Sequence, residues 1–294
     1  MRLLEQRRTG RRRVMSSIKK ANTGRNIDKA SVVALERAGD IFRGATKVLL
    51  AVAIALGISI ALSGRSEAKD TALDKMASDL EIRYALSALP PALRGKAAVY
   101  ILDPAKGYAL ARTGSNGLAC LVERTAWELV DFRNDIYIPL CYDAAGTNAH
   151  FKVIMDVAEL RAQGMSPMAL KSEIEKRYAD KTYGVPKRPG LSYMVSPIMR
   201  TVGPPDMEVH TMTMPHFMFY APNVTNEDIG ALPALANPES LLNPFIDRQG
   251  NDQQSYIIQL VGEAEKAKIL ATERTLINEL CAYRKILCLA HAKH

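Results

Sequence analysis

The chain has 294 residues, 48% of them hydrophobic and 24% charged, a balance that excludes a disordered chain, a collagen-like repeat and a polytopic membrane protein. Its formal charge of +8 is unevenly placed: residues 1–47 hold 13 of the 39 Lys/Arg and 4 of the 31 Asp/Glu, leaving 26 basic against 27 acidic residues beyond them. The basicity sits in a leader, so a nucleic-acid-binding domain has no support and no nucleic-acid partner is expected.

That basic leader, residues 1–47, precedes VLLAVAIALGISIALSG, seventeen residues without a charge. As a helix this run would be roughly 25 Å long, slightly short of a hydrocarbon core of about 30 Å. A basic stretch, an apolar stretch and then Ser66-Glu67-Ala68 are the three parts of a secretory signal. Residues 48–68 therefore read as a signal segment cut after Ala68, and residues 69–294 as a single exported domain, secreted or periplasmic. The alternative is an uncleaved anchor, with the membrane touched only through this segment. Arg37, Arg43 and Lys47 stay on the cytoplasmic side in both cases.

Asp70–Ala88 has Leu73, Met76, Leu80 and Tyr84 at helical spacing and is predicted as a helix, stopped by Pro90-Pro91. Strands Ala97–Leu102 and Tyr108–Arg112 flank a turn at Asp103-Pro-Ala-Lys-Gly107, and a second turn, Gly114-Ser-Asn-Gly117, precedes the strand Leu118–Glu123. A helix is expected over Phe151–Gln163 with Gly164 as its cap. Another begins at Ser166-Pro167, with Leu170, Ile174 and Tyr178 as its apolar ridge. The proline- and glycine-dense stretch from Gly184 to Pro205 reads as a loop holding one short strand, Leu191–Val195. Glu208–Tyr220 is the longest extended stretch. Thr225-Asn-Glu-Asp228 resembles a capping box, and Tyr256–Val261 reads as a strand. The last thirty residues read as one amphipathic helix with Ile269, Leu276, Leu280, Tyr283 and Leu287 on its stripe. This order predicts an α+β fold with a mainly antiparallel sheet flanked by helices.

Export makes disulfides plausible for the four cysteines. Cys120 and Cys141, separated by a polar, turn-rich stretch, are the expected pair. Cys281 and Cys288 would lie about 10 Å apart on a continuous helix, too far to bridge, so either that helix ends first or both stay reduced. There is no Cys-x-x-Cys, which removes support for zinc ribbons and thioredoxin-type chemistry.

Four segments form a recognisable set: Gly114-Ser-Asn-Gly-Leu-Ala-Cys120-Leu-Val-Glu-Arg124, Cys141-Tyr-Asp143, Arg188-Pro-Gly-Leu-Ser-Tyr-Met-Val-Ser196 and Pro215-His-Phe-Met-Phe-Tyr-Ala-Pro222. Together they resemble a family of secreted bacterial proteins to which no activity is assigned, over roughly residues 95–260. The resemblance implies an exported, cysteine-paired domain and transfers no chemistry.

The sharpest local feature is His210-Thr-Met-Thr-Met-Pro-His-Phe-Met-Phe-Tyr220. On one flat strand His210, Met212, Met214, His216, Met218 and Tyr220 would share a face, a soft donor set that selects Cu(I). Methionine also fills cores without any metal. Pro215 breaks or bulges a strand, and the two histidines would lie about 20 Å apart, so a copper site would have to use neighbours such as Met214 and His216. A hydrolase would use Ser115 or Cys120 as nucleophile with His216 as base, yet Gly-Ser-Asn-Gly is not a nucleophile elbow and a paired Cys120 is not a thiolate. Trp127, Asp131 and Asp135 lie between the first two cysteines, in a stretch that reads as a solvated loop with some prospect of bordering a ligand. With no catalytic signature in the exported region, the leading expectation is a disulfide-stabilised, non-enzymatic binding or envelope-associated protein without a cofactor. Its partner would be a small molecule or an envelope component. The hydrolase and the copper protein are the alternatives.

Overall fold

The computed structural model describes residues 71–234, 236–247 and 254–289, all within the unit Lys69–His294. The basic leader, the signal segment and the cut after Ala68 lie outside the described residues.

The fold is α+β, as the order of elements predicts. Ten strands are present: β1 Ala98–Asp103, β2 Gly107–Arg112, β3 Ala119–Glu123, β4 Ile138–Tyr142, β5 Leu191–Met194, β6 Met199–Gly203, β7 Glu208–Met212, β8 His216–Tyr220, β9 Phe245–Asp247 and β10 Tyr256–Leu260. Eight of them form one sheet in the order β2-β1-β3-β4-β5-β8-β10-β9, and β6 and β7 pair as a separate ribbon. Only β1 and β3 run parallel within the large sheet. The helices are α1 Ser78–Ser87, α2 Pro91–Arg94, α3 Lys152–Ala162, α4 Pro167–Ala179, α5 Glu263–Thr272 and α6 Arg274–Tyr283. A short turn, Ala144–Gly146, and a π turn, Thr147–Phe151, lead directly into α3. No helix among the described residues is long and apolar enough to cross a membrane.

Alternation gives the sheet two faces. Val99, Cys120, Val122 and Cys141 point to one, where they pack with Leu80 and Tyr84 of α1 and with Leu276 and Leu280 of α6. Leu121, Leu140, Tyr142, Met194, Met218 and Ile258 point to the other, against Phe151 and Ile154. Cys120 and Cys141 stand directly opposite each other on β3 and β4 and are bonded, their α-carbons 4.1 Å apart. The expected disulfide therefore forms a cross-strand staple under α1.

Several expectations need correction, each for a non-local reason. The helix expected from Asp70 begins only at Ser78. Upstream, the carbonyls of Thr71 and Asp74 accept hydrogen bonds from Arg161 and Arg124, which ties them to distant side chains instead of helical N–H groups. The C-terminal helix is broken at Glu273, whose carboxylate is held by Arg94, and it ends again at Tyr283. Arg284 then adopts extended backbone and reaches Asn134, the Tyr137 hydroxyl and Asp74. That early ending brings Cys288 back to Cys281, with α-carbons 4.4 Å apart in a second disulfide. The single extended stretch Glu208–Tyr220 is two strands in two different sheets, broken before Pro215. The sequence reading marks no strand at β4, β6 or β9: β4 contains Pro139 and follows a polar, turn-rich stretch, β6 lies in the proline-rich loop, and β9 has three residues.

Local signals held elsewhere. Ser166 caps α4 by accepting from the Ala169 N–H, Pro167 takes the first turn, and Leu170 and Ile174 are fully buried. Gly164, at φ +84°, ends the preceding helix in the left-handed region. The Asp228 carboxylate accepts from the Thr225 N–H and hydroxyl, and the Thr225 hydroxyl oxygen accepts from the Asp228 N–H, closing a turn where a helix start was expected.

Candidate functional site

The second sheet face is incompletely filled. It carries a cleft of about 270 Å³. Its floor is sheet: Ile138, Leu140 and Tyr142 from β4, Met194 from β5, His216 and Met218 from β8, Tyr256 and Ile258 from β10. One wall is formed by His150 of the π turn, Val153 and Ile154 of α3, Tyr178 of α4 and Trp127. The lip is the ribbon, through Met199, Thr201 and Val202 of β6, with Met214 in the connection to β8.

Each wall is fixed by local chemistry. Asp143 accepts the N–H groups of Ala145 and Gly146 and so starts the helical run that carries His150. The same carboxylate accepts the Tyr220 hydroxyl at 3.1 Å. A Cβ at Gly190 would overlap the Asp143 carboxylate, and one at Gly146 would overlap the Tyr220 hydroxyl oxygen, so both positions require glycine for this close approach. Burial and the Asp143 charge push the Tyr220 hydroxyl well above the ordinary phenol range. His150 is caged by Tyr142, Tyr220 and Tyr256, with ring centroids at 6.0, 5.1 and 4.6 Å. Segments singled out in the sequence, Cys141-Tyr-Asp143, the Gly190 region and Tyr220, thus meet in one knot at the edge of the cleft.

The lip is anchored by charge. Arg200 of β6 bonds Asp135 at 2.7 Å, and Tyr137 and Arg200 exchange backbone hydrogen bonds. Burial raises the Asp135 carboxyl, but hydrogen bonds from Arg133 and Arg200 outweigh it and leave the group at about 2. Asp135 is an anchor for the ribbon, and Asp131 lies 3.9 Å from Arg133. Trp127, read in the sequence as part of a solvated loop, is buried and lines the cleft.

The site residues expected from the sequence divide sharply. Met214, His216 and Met218 do come together in the cleft, while His210 and Met212 lie on β7 and are not among its lining residues. His210 Nδ1 instead lies 3.6 Å from Asp206. Met194 and Met199 join the cleft and were missed, since nothing in their own segments marks them; their place follows from β5 lying next to β8 and from the ribbon folding back. Ser192, fully buried and opposite Met218, is not among the cleft's lining residues, and its hydroxyl finds no hydrogen-bond partner among the described residues.

The hydrolase constellation is not assembled. Cys120 is bonded to Cys141 and is no thiolate, which corrects its candidacy as a nucleophile. Ser115 is exposed in the β2–β3 connection, and three strand spacings, roughly 14 Å, separate β3 from β8. Among the described residues no serine or cysteine lines the cleft that holds His216. Among the described residues no group of three or more His, Cys, Asp or Glu is placed to hold a metal ion.

Glu123 and Glu128 are the charged residues among the described residues that line the cleft. Comparison with known proteins finds no matching family model, no matching curated protein and no matching solved structure.

Proposed function

We propose that residues 69–294 form a binding domain that works outside the cytoplasm and takes a small, largely apolar ligand in the sheet-face cleft. The observation that carries this reading is the composition of the cleft: among the described residues it is lined by methionines, aromatic rings, aliphatic side chains, two histidines and two glutamates. Apolar walls with a few placed polar groups are the usual make-up of a ligand pocket. Export is supported by the two disulfides, because such bonds persist in oxidising compartments.

Trp127 is the chain's single tryptophan and lines the cleft, so its fluorescence reports occupancy directly. A screen of small apolar and aromatic molecules against the purified full chain should find ligands that shift this emission, and Val202→Phe, at the half-exposed lip, should abolish the shift without changing the urea midpoint. If emission responds to nothing, or equally in Val202→Phe, the cleft is not a binding site. Blocked thiols in protein taken from the native host would support export, and four free thiols would refute it.

A further inference from the structure

We propose that a second cavity, on the α1 face of the sheet, binds a single-chain amphiphile: an aliphatic chain of about ten carbons with an uncharged polar head, such as a medium-chain alcohol. This goes beyond the sheet-face cleft and does not depend on it, because the two spaces lie on opposite faces. Phe217 stands opposite Tyr193, which stands opposite Cys141, so Phe217 points to the face that carries the disulfide. On that side, past the end of α1, a cavity of about 280 Å³ lies beneath α5.

The floor of this cavity is apolar: Leu89, Pro90, Pro91, Val195 and Phe217. Its roof is α5, through Glu265, Lys268, Ile269 and Thr272. These four recur at three- and four-residue spacing, so one stripe of the helix is turned to the cavity. A helix that closes a core turns an apolar stripe inward. Here three of the four stripe residues are polar, and α5 buries none of its ten residues. The helix is held over the floor instead of packed onto it, and its ends do the holding. The Val261 N–H donates to the Pro215 carbonyl at 3.0 Å, and Glu273 pairs with Arg94.

A polar roof above an apolar floor defines the occupant. An apolar cavity of about 150 Å³ accommodates benzene, so about 280 Å³ takes a chain of about ten carbons. Charge selects the head. Lys268 lies 3.4 Å from Glu265, while Arg94 donates to Glu273, to the Leu89 carbonyl at 2.7 Å and to the Ser87 carbonyl at 3.4 Å. Among the described residues lining the cavity, each cation thus already has its anion. A carboxylate or ammonium head would have to break such a pair, whereas a hydroxyl can donate to Glu265 and accept from Lys268 without doing so.

The test is calorimetric titration of 1-decanol into the purified full chain carrying Val202→Phe, which closes the sheet-face cleft. One equivalent should bind, and decanoate and decyltrimethylammonium should each bind at least about tenfold more weakly. Ile269→Trp fills the cavity from its roof, at a helix position that is not buried, and should abolish binding with the urea midpoint near that of the parent. Phe217→Leu enlarges the floor and should move the preferred alcohol toward 1-dodecanol. Absence of binding, binding that survives Ile269→Trp, or equal binding of the charged analogues would each overturn the assignment. So would a dimer in sedimentation that Ile269→Trp dissolves, since a second copy of the chain would then cover the cavity. Should 1-decanol bind only when Val202 is intact, it occupies the sheet-face cleft, and this assignment falls while that one stands.

Discussion

The two faces of the large sheet are made by alternate residues of the same strands, and they have been completed in opposite ways. On the α1 face, Cys120 and Cys141 are bonded beneath a helix whose Tyr84 is fully buried and bonds the Ile198 carbonyl at 3.1 Å. On the α3 face, methionines and imidazoles surround a space the protein does not fill. One face is rigidly cross-linked and the other is left adaptable. A strand that is held in place from behind can afford an unfilled front, because the position of its outward residues no longer depends on packing there.

The largest test of that contrast removes the staple. Replacing Cys120 and Cys141 by alanine frees a loop of sequence separation 21 and should cost about 3 kcal/mol in urea unfolding. The Cys281–Cys288 bond closes a separation of only 7 and should cost about 2 kcal/mol when removed. Equal losses would mean the cross-strand bond has no special weight.

A smaller effect concerns pH. Glu81 of α1 is buried and accepts the Leu102 N–H at 2.8 Å. Burial raises its carboxyl to about 7, against the lowering effects of that bond, Arg124 and Lys75. Its folded value exceeds the ordinary 4.5, so the folded form binds the proton more tightly. Stability from this group is full below about 4.5 and is lost as pH rises through about 7. Glu81→Gln should therefore flatten the stability profile between pH 5 and 8 and raise stability at pH 8 by about 2 kcal/mol. A profile unchanged by the substitution would contradict the buried carboxyl.

On the cleft side the expected losses are smaller. Tyr220→Phe removes the hydroxyl bond to Asp143 and should cost about 1 kcal/mol, read from the urea midpoint. Met218→Leu should cost less than about 1.5 kcal/mol, as volume-conserving core swaps do, while altering ligand response at Trp127. If the methionine change costs more than about 1.5 kcal/mol, the cleft face is tightly packed and the contrast between faces is false.

The legibility of this molecule in its sequence follows the range of the interactions involved. Ser166-Pro167, Gly164 and the turn at Asp103–Gly107 announce themselves because their chemistry is settled within a few residues. The Cys120–Cys141 pair was legible from composition and spacing, and the α+β class from the order of elements. The early end of the final helix was not, since Glu273 and Arg284 carry no glycine or proline signal and are held by Arg94 and by Asp74, far away in sequence. The cleft was half legible. Met214, His216 and Met218 sit in one conspicuous segment, but Met194 and Met199 enter through strand order, which no local pattern encodes. The histidine-to-histidine alternation failed at Pro215, where the sequence already carried the warning.

The placement of the β6–β7 ribbon has a separate consequence. Strands β5 and β8 are direct antiparallel neighbours, so everything between Met194 and His216 is an excursion from what would otherwise be a simple hairpin. The ribbon's tip, between Gly203 and Glu208, makes no register with the large sheet. Residues can be inserted or deleted there without displacing a single pair of the eight strands, and the change would be felt at the mouth of the cleft alone. The architecture thus separates the part of the molecule that natural variation can resize from the part it must preserve.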